Sequence, residues 1–165
     1  MPIQNNSSSG VLPAILYGGF IAGTIDIGSA SVINQRNPVF ILKVVAGGLL
    51  GKSALHGDAS VAVIGMLLQW AMSLLIATIF VLAARRMPGL LRRWIAAGVA
   101  YGVVTYFVMN DIVVPWSALG NGSLPHFVLK QFCGDMVAMI LFGVIVAFFA
   151  QRFMDRDRRA PASSD

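Results

Sequence analysis

The sequence predicts an all-α fold: a polytopic membrane helix bundle of four transmembrane helices plus one short helix that does not cross. Of the 165 residues, 57% are hydrophobic and only 12% are charged, and the mean hydropathy is +0.77. Four apolar runs are long enough, at about 1.5 Å per residue, to cross a hydrocarbon core of roughly 30 Å. The basic residues lie at the ends of these runs. One integral membrane domain therefore fits the composition better than a soluble core does.

An arginine-rich turn at residues 85–93 orients the predicted bundle. It lies between two apolar runs and holds four of the nine arginines: Arg85, Arg86, Arg92 and Arg93. Short basic loops stay on the cytoplasmic side of a membrane, so this turn is predicted to be cytoplasmic. The basic tail at residues 151–165 is predicted to lie on the same side, against anionic lipid. The net charge of +5 thus reflects contact with the lipid bilayer and predicts no nucleic-acid partner.

The first span is predicted at residues 11–33, after a polar, disordered tail at residues 1–10. Gly19, Gly23 and Asp26 share one face of a 3.6-residue helix. The two glycines form a GxxxG, the spacing that lets another helix approach closely. We therefore expect Asp26 to face protein and not lipid.

The next apolar segment, residues 39–58, is interrupted by Lys43 and by several glycines. This pattern favours a short interfacial or re-entrant helix over residues 39–55, which gives four spans with both termini cytoplasmic. If the segment crossed instead, there would be five spans and an outer N-terminus. That alternative would place Lys43 below the membrane surface, at a cost of a few kcal/mol.

Three further spans complete the predicted bundle, at residues 60–84, 94–115 and 128–150. The run at 60–84 contains no charged residue and has Gln69 near its middle. The run at 94–115 contains a second GxxxG, Gly98 and Gly102, which predicts another close helix contact. These glycine faces also make homo-oligomer formation an expectation for this chain.

The four-span topology places Asp26, Asp111 and Asp135 in the outer half of the membrane. An unpaired aspartate deep in the membrane costs about 3 kcal/mol, so three lipid-facing ones are implausible. One hypothesis is a polar pocket open to the outer side, formed by Asp26, Lys43, Gln69, Asn110, Asp111 and Asp135. The other is that only Asp26 is buried, paired with Lys43 as a structural clip, while Asp111 and Asp135 lie at the interface.

Catalytic and metal-binding signals are weak in this sequence. It has no glutamate, a single cysteine, and no phosphate loop or nucleophile elbow, so the sequence predicts no enzyme activity. His56 and His126, with Asp135 or Cys133, could supply zinc ligands, but nothing fixes their mutual distances. We accordingly predict no metal and no cofactor.

A succession of short blocks carries a family resemblance over residues 14–150. The blocks are AGTIDI at 22–27, RNPVFIL at 36–42, GGLLGKSAL at 47–55, RRMP at 85–88, YGVVTYFVMN at 101–110 and VVPWSA at 113–118. Their order resembles a group of small bacterial inner-membrane proteins, the YagU-like proteins. The resemblance implies a bacterial cytoplasmic membrane and about four spans, and it implies no biochemical activity. Where relatives carry histidine in two spans, this chain has Gln69 and Asp135, which weakens any shared metal or imidazole relay.

Two functions are compatible with these features. The more favoured is a structural or accessory inner-membrane bundle, in which buried polar residues hold helices together. The alternative is a small-solute or proton transporter, or a channel, that uses the outer-half pocket around Asp26, Asp111 and Asp135.

Overall fold

The computed structural model describes residues 10–120 and 129–159, with side chains throughout except at 129–130 and 155–159. Residues 1–9 of the predicted N-terminal tail, and His126, lie outside the described residues. The helices are α1 (Val11–Asn34), α2 (Pro38–Leu50), α3 (Ala59–Arg86), α4 (Pro88–Arg92), α5 (Trp94–Trp116) and α6 (Leu129–Arg159). The prediction of an all-α bundle is confirmed. Four helices are long and apolar enough to cross a membrane, whereas α2 is a shorter apolar helix.

Local signals in the sequence account for the break between α1 and α2. Gln35 adopts a left-handed conformation, with a φ of 51°, which ends α1. The Asn37 side chain then caps α2 by accepting a hydrogen bond from the Val39 amide at 2.9 Å. Pro38 occupies the first turn of α2, where a missing N–H costs nothing. The chain therefore turns sharply after α1.

Helices α1 and α3 run antiparallel. Gly19 lies against Leu74, while Asp26, two turns later, lies against Gln69, so residue numbers rise along one helix as they fall along the other. An antiparallel pair of spans requires that the segment between them return to the side on which α1 ends. The arrangement is the one expected of the four-span topology, because a crossing α2 would make α1 and α3 parallel.

The remaining contacts extend the same alternation to α5 and α6. Gly18 packs on Val146 and Ile33 packs on Gly134, so α1 is antiparallel to α6. Likewise, Gly98 of α5 lies against Val144, and Gly102 lies against Ile140. We call the end of the bundle where α1 stops the Asn34 end, and the opposite end, which carries α4, the Arg85 end. α6 continues as a helix to Arg159, so it includes much of the predicted basic tail.

The short helix α2 covers the first part of α3 at the Asn34 end. The backbone of Leu42 lies so close to Gly65 of α3 that no larger residue would fit there. Near the other end of α2, the carbonyl of Gly48 accepts a hydrogen bond from the amide of Ala118 at 2.8 Å. α2 thus connects α3 to the residues that follow α5.

The apolar core occupies the half of the bundle toward the Arg85 end. Phe80, Val81 and Val146 are buried there, together with alanines from α1, α3 and α6. Leu91 of the short helix α4 is 4% exposed and packs into the same cluster. The polar side chains Asp26, Asn110 and Asp135 lie in the other half, toward the Asn34 end.

Candidate functional site

A cavity of about 180 Å³ lies between α1, α5 and α6, in the half of the bundle toward the Asn34 end. Its polar lining residues are Asp26, Tyr106, Asn110 and Asp135. Its apolar lining residues are Ala30, Met109, Val114, Ala138 and Met139. We call this space the carboxylate cavity, because two of its four polar side chains are aspartates.

Asp26 is held at the cavity by a hydrogen bond between helices. The amide Nε2 of Gln69 donates to Oδ2 of Asp26 at 2.9 Å. Just beside this pair, Gly23 contacts Ser73 so closely that an added Cβ would overlap the serine side chain. The missing side chain at Gly23 lets α3 approach α1 closely enough for Gln69 to reach Asp26.

Asp135 enters the cavity from α6 and is half-buried. It makes no hydrogen bond or ion pair to any other residue that the structure describes. Since a carboxylate is costly to place in an apolar surrounding without a partner, its charge must be balanced by a bound cation or a proton, or it must be hydrated.

Asn110 belongs to a π-helical segment of α5, Val108–Val113. Pro115 follows closely and has no backbone N–H, which removes a helical hydrogen bond and accounts for the local change in winding. The Asn110 side chain donates from Nδ2 to the carbonyl oxygen of Tyr106 at 3.0 Å. Segments of this kind are common at functional sites, and this one forms one wall of the cavity.

Tyr106 is a lining residue that sequence reasoning missed. Its side chain is 7% exposed and its ring packs edge-on against Phe107 and Phe132, with centroids 5.5 Å and 5.4 Å apart. The hydroxyl makes no hydrogen bond to another described residue, yet no fully buried polar side-chain atom in the described part lacks a partner. The hydroxyl is therefore not fully buried, and Tyr106 is one of the residues that line the cavity. Tyr106 lies four residues, about one helical turn, before Asn110, and this spacing in the sequence could have placed both on the same face.

The structure brings together only part of the predicted pocket. Asp26, Asn110 and Asp135 line the cavity. Gln69 is hydrogen-bonded to Asp26 but does not itself line the cavity. Asp111 is exposed and does not line it. Adjacent side chains of a helix point in different directions around its axis, so Asn110 and Asp111 face different surroundings.

The predicted clip between Lys43 and Asp26 is wrong. Lys43 lies on α2, is half-buried, and forms no ion pair within the described part of the chain. Asp26 is bound by Gln69 instead, because α3 packs directly on α1 while α2 packs mainly on α3. Lys43 also does not line the cavity.

The other predicted residues occupy distinct places. Gly19 and Gly23 contact α3, and Gly98 and Gly102 contact α6, all within one chain. The arginines of the turn are exposed at the Arg85 end: Arg85, Arg86, Arg92 and Arg93. Cys133 is a free cysteine that is exposed on α6.

The described side chains of this site are suited to binding a cation through the negative charge of two carboxylates. Among the described residues, no group of three or more histidine, cysteine or acidic side chains could hold a metal ion, and no cationic side chain lines the cavity. Two carboxylates, an amide and a phenol facing a small apolar space can attract a cation. Comparison of the chain with protein-family models, curated proteins and solved structures finds no match.

Proposed function

We propose that this chain is a multi-pass protein of a bacterial cytoplasmic membrane that binds and transports a small cation through the carboxylate cavity. The observation that carries the proposal is that Asp26 and Asp135 share one cavity in which no described cationic side chain compensates them. Two uncompensated carboxylates in a low-dielectric surrounding repel each other and lose hydration. A bound cation would relieve both costs.

The proposed orientation follows from the arginines. If the Arg85 end faces the cytoplasm, as basic loops do, the Asn34 end faces the outer side and the cavity lies in the outer half. Both termini are then cytoplasmic. The proposed bacterial location rests on the resemblance to YagU-like inner-membrane proteins that the sequence suggests, and the proposal assigns no catalytic step to any residue.

A structural or accessory bundle is the second candidate. The hydrogen bond from Gln69 to Asp26 favours it, because such a bond between spans holds helices together whether or not the cavity is used. In that account Asp26 needs only an acceptor oxygen and not a negative charge. The four predicted packing glycines all make contacts within one chain, so a homo-oligomer would have to use other surfaces.

Charge movement in proteoliposomes tests the proposal. The purified protein is reconstituted on a solid-supported membrane and exposed to concentration jumps of sodium, potassium, ammonium and tetramethylammonium chloride. We expect a transient current for at least one cation, abolished in Asp26→Asn and Asp135→Asn. Asp111→Asn is the matched control, since it removes the same charge from a side chain that does not line the cavity, and it should retain the current.

Two results would contradict the transport proposal. One is the absence of current with every cation. The other is a current that Asp111→Asn lowers as much as Asp135→Asn does, since the charge of the cavity would then be irrelevant. If the protein is folded, carries no current and depends on Gln69 for its stability, the structural function would be the one that remains supported.

A further inference from the structure

We infer that the carboxylate cavity is built for a small organic ammonium ion and not for a metal ion. The inference rests on the proposal that a cation occupies the cavity, and it adds the chemical class of that cation. Three observations carry it: the number of side-chain oxygens in the described lining, the presence of the Tyr106 ring in that lining, and the size of the space.

The described lining offers at most five free side-chain oxygens to a hard metal ion: one of Asp26, two of Asp135, one of Asn110 and one of Tyr106. Calcium takes six to eight oxygen ligands, and magnesium takes six in a nearly octahedral arrangement. One oxygen of Asp26 already accepts a hydrogen bond from Gln69. The other polar groups are those of Asp135, Asn110 and Tyr106, and the remaining lining is alanine, methionine and valine. A hard metal ion would have to complete its ligand shell with water molecules beside walls that are largely apolar.

Tyr106 supplies what an ammonium ion needs in addition to charge. Its side chain is 7% exposed, and its hydroxyl has no hydrogen-bond partner among the described residues. An aromatic ring within about 6 Å of an ammonium group attracts it through its π electrons, and the attraction grows when water is excluded. The hydroxyl can also accept a hydrogen bond from an N–H donor.

The apolar lining suits carbon substituents on the same ion. Met109 and Met139 are flexible, polarisable side chains that adapt to an irregular ligand. Ala30 and Ala138 have small side chains, which leave space in the cavity beside the two aspartates. A ligand with one charged nitrogen and several methyl or methylene groups would bury its apolar part here while the carboxylates balance its charge.

The volume limits the size of the ligand. At about 180 Å³ the cavity resembles in size an engineered cavity of roughly 150 Å³ that binds benzene. Tetramethylammonium and choline, with five and seven non-hydrogen atoms, are therefore suitable probes. The compound 3,3-dimethyl-1-butanol has the shape of choline with carbon in place of the charged nitrogen, and it serves as the neutral control.

Isothermal titration calorimetry on the full-length protein tests the inference. The protein is kept in a maltoside detergent, because phosphatidylcholine would itself supply the choline group. We expect tetramethylammonium and choline to bind, and the neutral butanol to bind at least about tenfold more weakly. Asp135→Asn should abolish binding of both cations, and Tyr106→Leu should weaken it about tenfold through loss of the ring.

A matched variant controls for damage to the fold. Phe148→Leu makes a similar aromatic-to-leucine change on α6, at a side chain that is 39% exposed, does not line the cavity and has its ring contacts with Trp94 and Phe149. It should bind choline as the unmodified protein does. Circular dichroism and gel filtration of Tyr106→Leu establish that it is folded, and Tyr106→Phe, which keeps the ring, should retain most of the affinity.

The possible failures can be told apart. Binding of sodium, potassium or magnesium that depends on Asp135, without binding of either ammonium ion, would overturn this inference and leave the proposed function standing. Equal affinity for choline and the neutral butanol, or an unchanged affinity in folded Tyr106→Leu, would also overturn it. Absence of Asp135-dependent binding by every cation tested would overturn both.

Discussion

Gln69 of α3 donates a hydrogen bond from Nε2 to Oδ2 of Asp26 of α1, with the two atoms 2.9 Å apart. The pair lies where the apolar core of the Arg85 half gives way to the carboxylate cavity. Because the donor is a neutral amide, it fixes the position of the carboxylate without cancelling its charge. The same contact can therefore serve both the packing of the bundle and the attraction of a cation.

Removing the donor should destabilise the bundle more than removing the charge. Gln69→Leu leaves Asp26 without its partner and should cost about 1 kcal/mol, the usual size of such bonds in membranes. Asp26→Asn keeps an acceptor oxygen and should cost less. The measurement is the unfolding free energy in detergent titrated with dodecyl sulfate.

Gln131→Leu provides the comparison for this prediction. Its amide donates to Asn34 at 3.2 Å in an exposed position, so its loss should cost less than the loss of Gln69. A Gln69→Leu protein as stable as the unmodified one would show that the bond contributes nothing.

The contact between α5 and α6 should not tolerate a single methyl group. A Cβ added at Gly98 would lie 2.7 Å from the Val144 Cα, and one added at Gly102 would lie 2.6 Å from the Ile140 Cα. Since both obstacles are backbone atoms, Gly98→Ala and Gly102→Ala should each cost about 1–3 kcal/mol of unfolding free energy.

Gly28→Ala is the control for these two variants. A Cβ added at Gly28 meets nothing within 4 Å, so its unfolding free energy should change by less than about 0.5 kcal/mol. If all three alanine variants were equally stable, the close approach of α5 and α6 would be refuted.

Filling the cavity should block the proposed transport without changing any charge. Ala30→Leu and Ala138→Leu each add three carbon atoms to side chains that line the space. Either should abolish the cation-induced current in proteoliposomes. Ala96→Leu makes the same change on an exposed face of α5 near the Arg85 end and should leave the current intact. An undiminished current in both cavity variants would place the pathway elsewhere.

Topology can be read from single cysteines introduced into a Cys133→Ala background. An impermeant thiol reagent applied outside intact cells should label cysteines at Ser60 and Ser117, which lie near the Asn34 end. Cysteines at Ser7 and Gly89 should react only after the membrane is opened. Labelling at Ser7 from outside would mean five spans and would contradict the antiparallel pairing of α1 and α3.

The helices were predictable because hydropathy and charge act locally. Apolar runs, a proline after a capping asparagine, and arginines at helix ends each indicate a helix or its end without knowledge of the neighbours. The interruption at Lys43 likewise indicated a helix too short to cross. Helical spacing also identified the glycine faces, since a GxxxG depends only on residues within one helix.

The composition of the cavity was only partly predictable, because it depends on how helices are rotated and placed. Topology supplied the depth of Asp26 and Asp135, but depth does not say which side chains face each other. Asp111 and Asn110 are adjacent in sequence, yet only Asn110 lines the cavity. One of the two hypotheses paired Lys43 with Asp26, because the local sequence pattern does not indicate that α2 packs mainly on α3.

Asp26 and Asp135 face one cavity, and the proposed function requires that this cavity be reached from the Asn34 end. The most direct measurement is the rate at which a cysteine in Asp135→Cys, in a Cys133→Ala background, reacts with cationic and anionic methanethiosulfonate reagents added outside. We predict that the cationic reagent reacts faster, and that Asp26→Asn lowers this preference by about tenfold, since a nearby charge contributes 1 kcal/mol or more. Asp111→Asn should leave it unchanged. A preference that Asp26→Asn does not alter, or a cysteine that neither reagent reaches, would contradict the account.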